Sequence, residues 1–168
     1  RLGIVYRHIT RVNYRWDGLG FLPKERWHIW TANARNGKTT QVTDGEVHDE
    51  REPRWLPDGR SILFVSNRAD DPDFSPHTVE LWMVPVEGGE LRKIPSNFGQ
   101  KSFPRVSPDG RWIAYTGRDR SADWWQNYNL WVTPIDGSSE PRNLTKHLDV
   151  MVSNSTSHQV MKAREFQL

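Results

Sequence analysis

Short apolar runs broken by turn residues organise this chain, and they read as strands. Ile62-Leu63-Phe64-Val65 follows an Asp58-Gly59 pair; a polar connection leads to Val79-Glu80-Leu81-Trp82-Met83-Val84-Pro85-Val86, then Gly88-Gly89, then Leu91 to Ile94. The same succession returns as Ile113-Ala114-Tyr115, Asn129-Leu130-Trp131-Val132, the Asp136-Gly137 turn and Arg142 to Leu144. β-branched and aromatic runs bounded by Asp-Gly or Gly-Gly are hairpin signals, because such pairs adopt the positive backbone dihedrals of a tight turn. No window of comparable length carries apolar residues at the three-and-four spacing of a helix.

The succession is a repeat. Arg54-Trp55-Leu56-Pro57-Asp58-Gly59-Arg60-Ser61-Ile62 matches Arg105-Val106-Ser107-Pro108-Asp109-Gly110-Arg111-Trp112-Ile113, with the Asp-Gly pairs 51 residues apart. Trp30, Trp82 and Trp131 form a second column at intervals of 52 and 49, and Val42, Ile94 and Leu144 a third at 52 and 50. Helical arrays repeat at roughly 33 to 47 residues and blades of four antiparallel strands at about 40 to 50. The prediction is therefore an all-β chain, part of a β-propeller of four-stranded antiparallel blades. Residues 1–48 hold the end of one blade with its lead-in, 49–97 and 98–145 are full blades, and 146–168 open a further one. A closed ring of such blades needs roughly 200 to 400 residues, so the expectation is a fragment of a propeller that self-associates through open blade edges.

Composition narrows the function classes. A formal charge of +2, with 21 acidic residues interspersed among 23 basic ones, gives no phosphate-tracking patch, so no nucleic-acid partner is expected. No apolar stretch approaches the roughly 18 residues of a membrane span. The absence of cysteine excludes disulfides and thiolate metal sites here and fits a reducing cytoplasm, the expected location.

Catalytic and cofactor motifs are missing. The chain has no Gly-x-Ser-x-Gly elbow, no His-x-x-x-His pair, no phosphate-cradling loop and no dinucleotide glycine pattern, so neither a catalytic residue nor a cofactor is assigned. The six histidines are scattered singly. Asp70, Asp71 and Asp73 lack the spacing and glycine of a calcium loop and are expected to be a solvated connection.

Two groups remain as contact candidates. Trp124, Trp125 and Tyr128 fall in a connection where the repeat tolerates insertion; they either contact a partner domain or peptide, or fold back onto the blade. Arg54 and Arg105 share one column beside the strand that lines a propeller's channel, near Glu50, Arg51, Glu52 and Lys101. They either meet a peptide carboxylate or bridge neighbouring blades.

The repeat phrase from Ser107 to Arg118, with Leu130-Trp131-Val132 through Asn143-Leu144-Thr145, resembles the propellers related to the translocation protein TolB. Tyr14-Arg15-Trp16-Asp17-Gly18-Leu19-Gly20-Phe21, followed by His28-Ile29-Trp30 and Gln41-Val42-Thr43-Asp44-Gly45, is similar to the N-terminal propeller of acylaminoacyl peptidases in the prolyl oligopeptidase family. That resemblance implies a parent in which the propeller gates a separate α/β-hydrolase domain that cleaves short or N-acylated peptides with a Ser, Asp and His triad. The alternative is a TolB-like interaction module without enzymatic activity.

Overall fold

In a computed structural model the described residues are 3, 8–118 and 126–152. They form twelve strands and no helix. A lead-in hairpin of β1 (Arg15–Trp16) and β2 (Gly20–Phe21) precedes a two-stranded sheet of β3 (Trp30–Ala32) and β4 (Thr39–Gln41). A four-stranded sheet follows, with β5 (Glu50–Trp55), β6 (Ser61–Asn67), β7 (Val79–Pro85) and β8 (Arg92–Ile94) in chain order. A second consists of β9 (Lys101–Val106), β10 (Trp112–Gly117), β11 (Asn129–Pro134) and β12 (Arg142–Asn143), also in chain order and antiparallel throughout.

The turns between first and second strands explain the doubled phrase. Gly59 N–H donates to the Leu56 carbonyl at 3.0 Å, and Leu56 N–H to the Ser61 carbonyl at 2.9 Å. Pro57 presets the first turn position, the Asp58 carboxylate accepts from Arg60 N–H at 2.9 Å, and Gly59 takes φ 65°. Positive dihedrals across the whole Asp-Gly pair were expected; only the glycine is left-handed, so this is a longer turn closed by a left-handed glycine rather than a two-residue hairpin.

The continuous apolar run of β6 arises because its blade is buried on both faces, whereas β10 of the last blade alternates buried and half-buried positions. Successive side chains of β6 point to opposite sides, so Leu63 and Val65 pack with Leu81, Ile94, Ile113, Tyr115 and Trp131. Ile62 and Phe64 join Val84 against Ile29 and Val42 of the two-stranded sheet. The tryptophan column follows the same logic: Trp131 lies against the preceding blade and is 7% exposed, Trp82 is half-buried, and Trp30, in the two-stranded sheet with no four-stranded blade before it among the described residues, is 56% exposed.

The lead-in is tied down by an ion pair that the chain's pattern did not announce. Arg11 donates twice to the Asp73 carboxylate, at 2.9 and 3.2 Å, and Asn13 N–H adds a third hydrogen bond. Asp73 is thus a clamp and not the solvated residue expected, while Asp71 caps its own loop by accepting from Asp73 and Phe74 N–H. The hairpin at residues 15–21 was also not anticipated, its strands being two residues long.

Candidate functional site

The innermost strands β5 and β9 run side by side, and each contains one irregularity at the same repeat position. The β5–β6 register jumps between Arg51↔Val65 and Arg54↔Leu63, and the β9–β10 register between Ser102↔Thr116 and Arg105↔Ala114. Two residues there oppose one, which defines a β-bulge. Glu52 (φ 54°) and Phe103 (φ 55°) open the two bulges, and among the described residues they are the non-glycine residues with positive φ. A left-handed backbone costs a non-glycine residue about 1–3 kcal/mol, so the repetition of this geometry, not its ease, calls for explanation. Proline follows in both strands; without an N–H it leaves no ladder donor unpaired at the bulge. Pro104 is buried and anchors the second bulge.

The bulges are joined. The Glu52 carboxylate accepts a hydrogen bond from Phe103 N–H, linking equivalent positions of neighbouring blades. Two residues further on, Arg54 and Arg105 each donate one guanidinium N–H to the preceding proline carbonyl, at 2.8 and 2.9 Å. Neither has a carboxylate partner among the described residues, so the anticipated bridging between blades does not occupy them.

Two polar residues expected near the channel lie elsewhere. Glu50 and Lys101 are 3% and 1% exposed, buried where each first strand meets the preceding blade. Glu50 accepts from His28 Nδ1 at 2.7 Å, from Thr43 Oγ1 at 2.9 Å and from Arg68. Lys101 donates to Glu80 at 2.9 Å and to the Gly99 and Val79 carbonyls at 2.7 and 3.3 Å. Burial holds the Lys101 ammonium below its ordinary pKa, with Glu80 acting against that shift. Burial likewise lowers Arg68, with Glu50 opposing. These side chains fasten blade to blade. Arg51, by contrast, stays exposed, its guanidinium 5.5 Å from the Trp27 ring and its Nη2 3.5 Å from the Asp49 carboxylate.

Tyr128 folds onto its blade: its hydroxyl donates to Gln100 Oε1 at 2.7 Å and the Arg118 guanidinium lies 4.3 Å from its ring centroid. Trp124 and Trp125 fall outside the described residues. Nearby, the buried Tyr115 hydroxyl donates to Asn97 at 2.8 Å, and burial raises its pKa. No grouping of three or more metal-ligating side chains occurs among the described residues.

The bulge was readable in retrospect. Glu52-Pro53-Arg54 and Phe103-Pro104-Arg105 repeat an X-Pro-Arg signature, and a proline inside a strand pattern signals a bulge or an edge. What the pattern could not give was the left-handed X residue, since neither Glu nor Phe favours it.

Antiparallel four-stranded sheets packed face to face define the class of this chain as part of a β-propeller, and comparisons make the class more specific. The structure superposes on TolB from Acinetobacter baumannii with a TM-score of 0.55 and 19% identity, covering 70% of this chain and 26% of that one. It matches a protein assigned as TolB from Agrobacterium tumefaciens with a TM-score of 0.56 and 24% identity, covering 69% and 40%. The fold is TolB-like. No family model matches the chain. In sequence it is 36% identical over 89 residues, 53% of its length, to the uncharacterized peptidase YuxL of Bacillus subtilis (strain 168). It is 29% identical over 91 residues, 54% of its length, to an uncharacterized protein of Agrobacterium fabrum (strain C58). The chain spans 12% and 28% of those two relatives. These matches support a TolB-like propeller with a peptidase-named relative; they do not single out the acylaminoacyl peptidases.

Proposed function

We propose that the chain is the non-catalytic propeller part of a serine peptidase acting on short or N-acylated peptides, gating access to a separate α/β-hydrolase domain of the same parent. The observation that carries this is the 36% identity, over 89 residues, to a protein named a peptidase. A rigid wall of blades limits what passes by size, and its inner strands are the surface a peptide would meet. A cytoplasmic location, a peptide substrate and self-association through open blade edges belong to the same proposal.

Labelling of the full-length protein with a serine-reactive phosphonate, together with turnover of N-acetylated di- and tripeptides, tests it. Labelling with turnover that falls as peptide length grows is the expected result. Absence of both would leave the interaction module as the function, in line with the TolB fold of the solved neighbours.

A further inference from the structure

We propose that the paired X-Pro-Arg bulges form a carboxylate-binding site for the free C-terminus of a short peptide, and that Glu52 is its internal occupant. The inference rests on the proposal that peptides reach the inner strands. Phe103 N–H is released from the β9–β10 ladder by the bulge and turned toward the next inner strand, where it already holds a carboxylate, that of Glu52. An N–H that binds one carboxylate within the chain can bind another.

The supporting donors lie two residues beyond each bulge residue, Arg54 on β5 and Arg105 on β9. Arg54 and Arg105 are fixed next to their bulges by one N–H each on the proline carbonyl. A guanidinium has five donors in a planar fork, so most of each fork is left for a ligand, and none of it meets a carboxylate among the described residues. Two guanidiniums against one Glu52 carboxylate leave a net positive charge that favours a further anion. The strain supplies the last element. Glu52 and Phe103 both keep a left-handed backbone that a glycine would adopt freely. Strain retained at the same position of two blades is the mark of a site held in place by its surroundings.

Isothermal titration of the full chain with trialanine, amidated trialanine and an amidated peptide carrying one Asp tests this. Trialanine is expected to bind and amidated trialanine not. Replacing Glu52→Gln should tighten trialanine about fivefold or more by removing the competing charge, and Arg54→Gln with Arg105→Gln should weaken it about tenfold or more. Circular dichroism of each variant checks that the blades stay folded. Equal affinities for free and amidated trialanine, no binding of either, or weaker binding after Glu52→Gln would each overturn the site. Binding of the Asp peptide alone would overturn the C-terminal assignment in favour of an acidic side chain from a partner. Full peptidase turnover with no such discrimination would refute this site and leave the proposed function standing; carboxylate binding without serine labelling would do the reverse.

Discussion

The two interfaces between blades share their apolar columns and exchange their charges. Where the two-stranded sheet meets the first full blade, an acid, Glu50, is buried against His28 and Thr43 of the preceding sheet and Arg68 of its own. At the next interface the equivalent position is a base, Lys101, and the position equivalent to His28 is an acid, Glu80. Repeat drift has put a lysine where the acid stood and an acid where the histidine stood, while keeping a pair. A buried charge is tolerated only with a partner, so a change on one side constrains the other, whereas Ile62 and Ile113 need only fit.

The largest effect that breaks this comparison is removal of one charged partner. Glu50→Ala strands the half-buried Arg68 and His28 and is expected to cost about 3–5 kcal/mol in urea unfolding. Lys101→Met leaves Glu80 with Lys93 at 3.4 Å and Ser96 at 3.0 Å, and should cost clearly less. Equal costs at the two interfaces would show that the buried pairs are not what distinguishes them.

Next are the turns that seat each blade under its predecessor. Gly88 (φ 83°) would place a Cβ 3.3 Å from the Val42 carbonyl, and Gly137 (φ 72°) one 2.9 Å from Pro95 Cγ. Pro95 cannot swing aside, so Gly137→Ala should lose about 2–3 kcal/mol, combining backbone strain with overpacking. Gly110→Ala meets nothing nearer than 3.8 Å and should lose only the strain, about 1 kcal/mol. Thermal melts of the two variants check that order.

How much of this was legible follows from what repeats. Strand content, blade period and the tryptophan packing column were readable because apolar burial needs residue types at fixed intervals, and Trp131 and Tyr115 sit where the columns put them. The burial of Glu50 and Lys101 was not: a charged residue at a strand start looks solvated until its partner, 22 or 21 positions earlier, is brought beneath it by the fold. The bulges at Glu52 and Phe103 were hidden because the residue types argue against the conformation. Asp73 was misjudged because its partner Arg11 lies 62 positions away in a segment without repeat structure.

Lys101 gives a smaller, pH-dependent contrast. Its folded pKa is held below 10.5, so the unfolded state binds its proton more tightly and burial of the ammonium weighs against folding at neutral pH. That penalty eases as pH rises through the window between the folded value and 10.5, and stability gains. Tyr115 acts oppositely: its raised pKa makes stability fall once the unfolded phenol ionises near 10. Unfolding from pH 7 to 9.5 should therefore show a rising slope that Lys101→Met flattens, and above pH 10 a decline that Tyr115→Phe reduces. At the interface around Glu50 the buried base is Arg68, whose guanidinium stays protonated throughout this range, so Glu50→Gln should leave the alkaline rise in place.

The smallest expected effect is confined to the lead-in, which lies outside both interfaces. Hydrogen bonds from Arg11 hold the Asp73 carboxyl below its usual range, and the same contact raises Arg11. A carboxylate with a depressed folded pKa contributes stability that is present above about pH 4 and lost as pH falls through the folded value. Acidification should therefore release residues 8–24 as the Asp73 carboxylate takes up its proton. Hydrogen exchange of Asn13 and Tyr14 should accelerate as pH falls through that range. Asp73→Asn should produce the same local release at pH 7 with little change in global unfolding, because the pair ties the lead-in to a loop and joins neither blade interface. A variant that instead unfolds the whole chain would place the lead-in among the elements on which both blade interfaces depend.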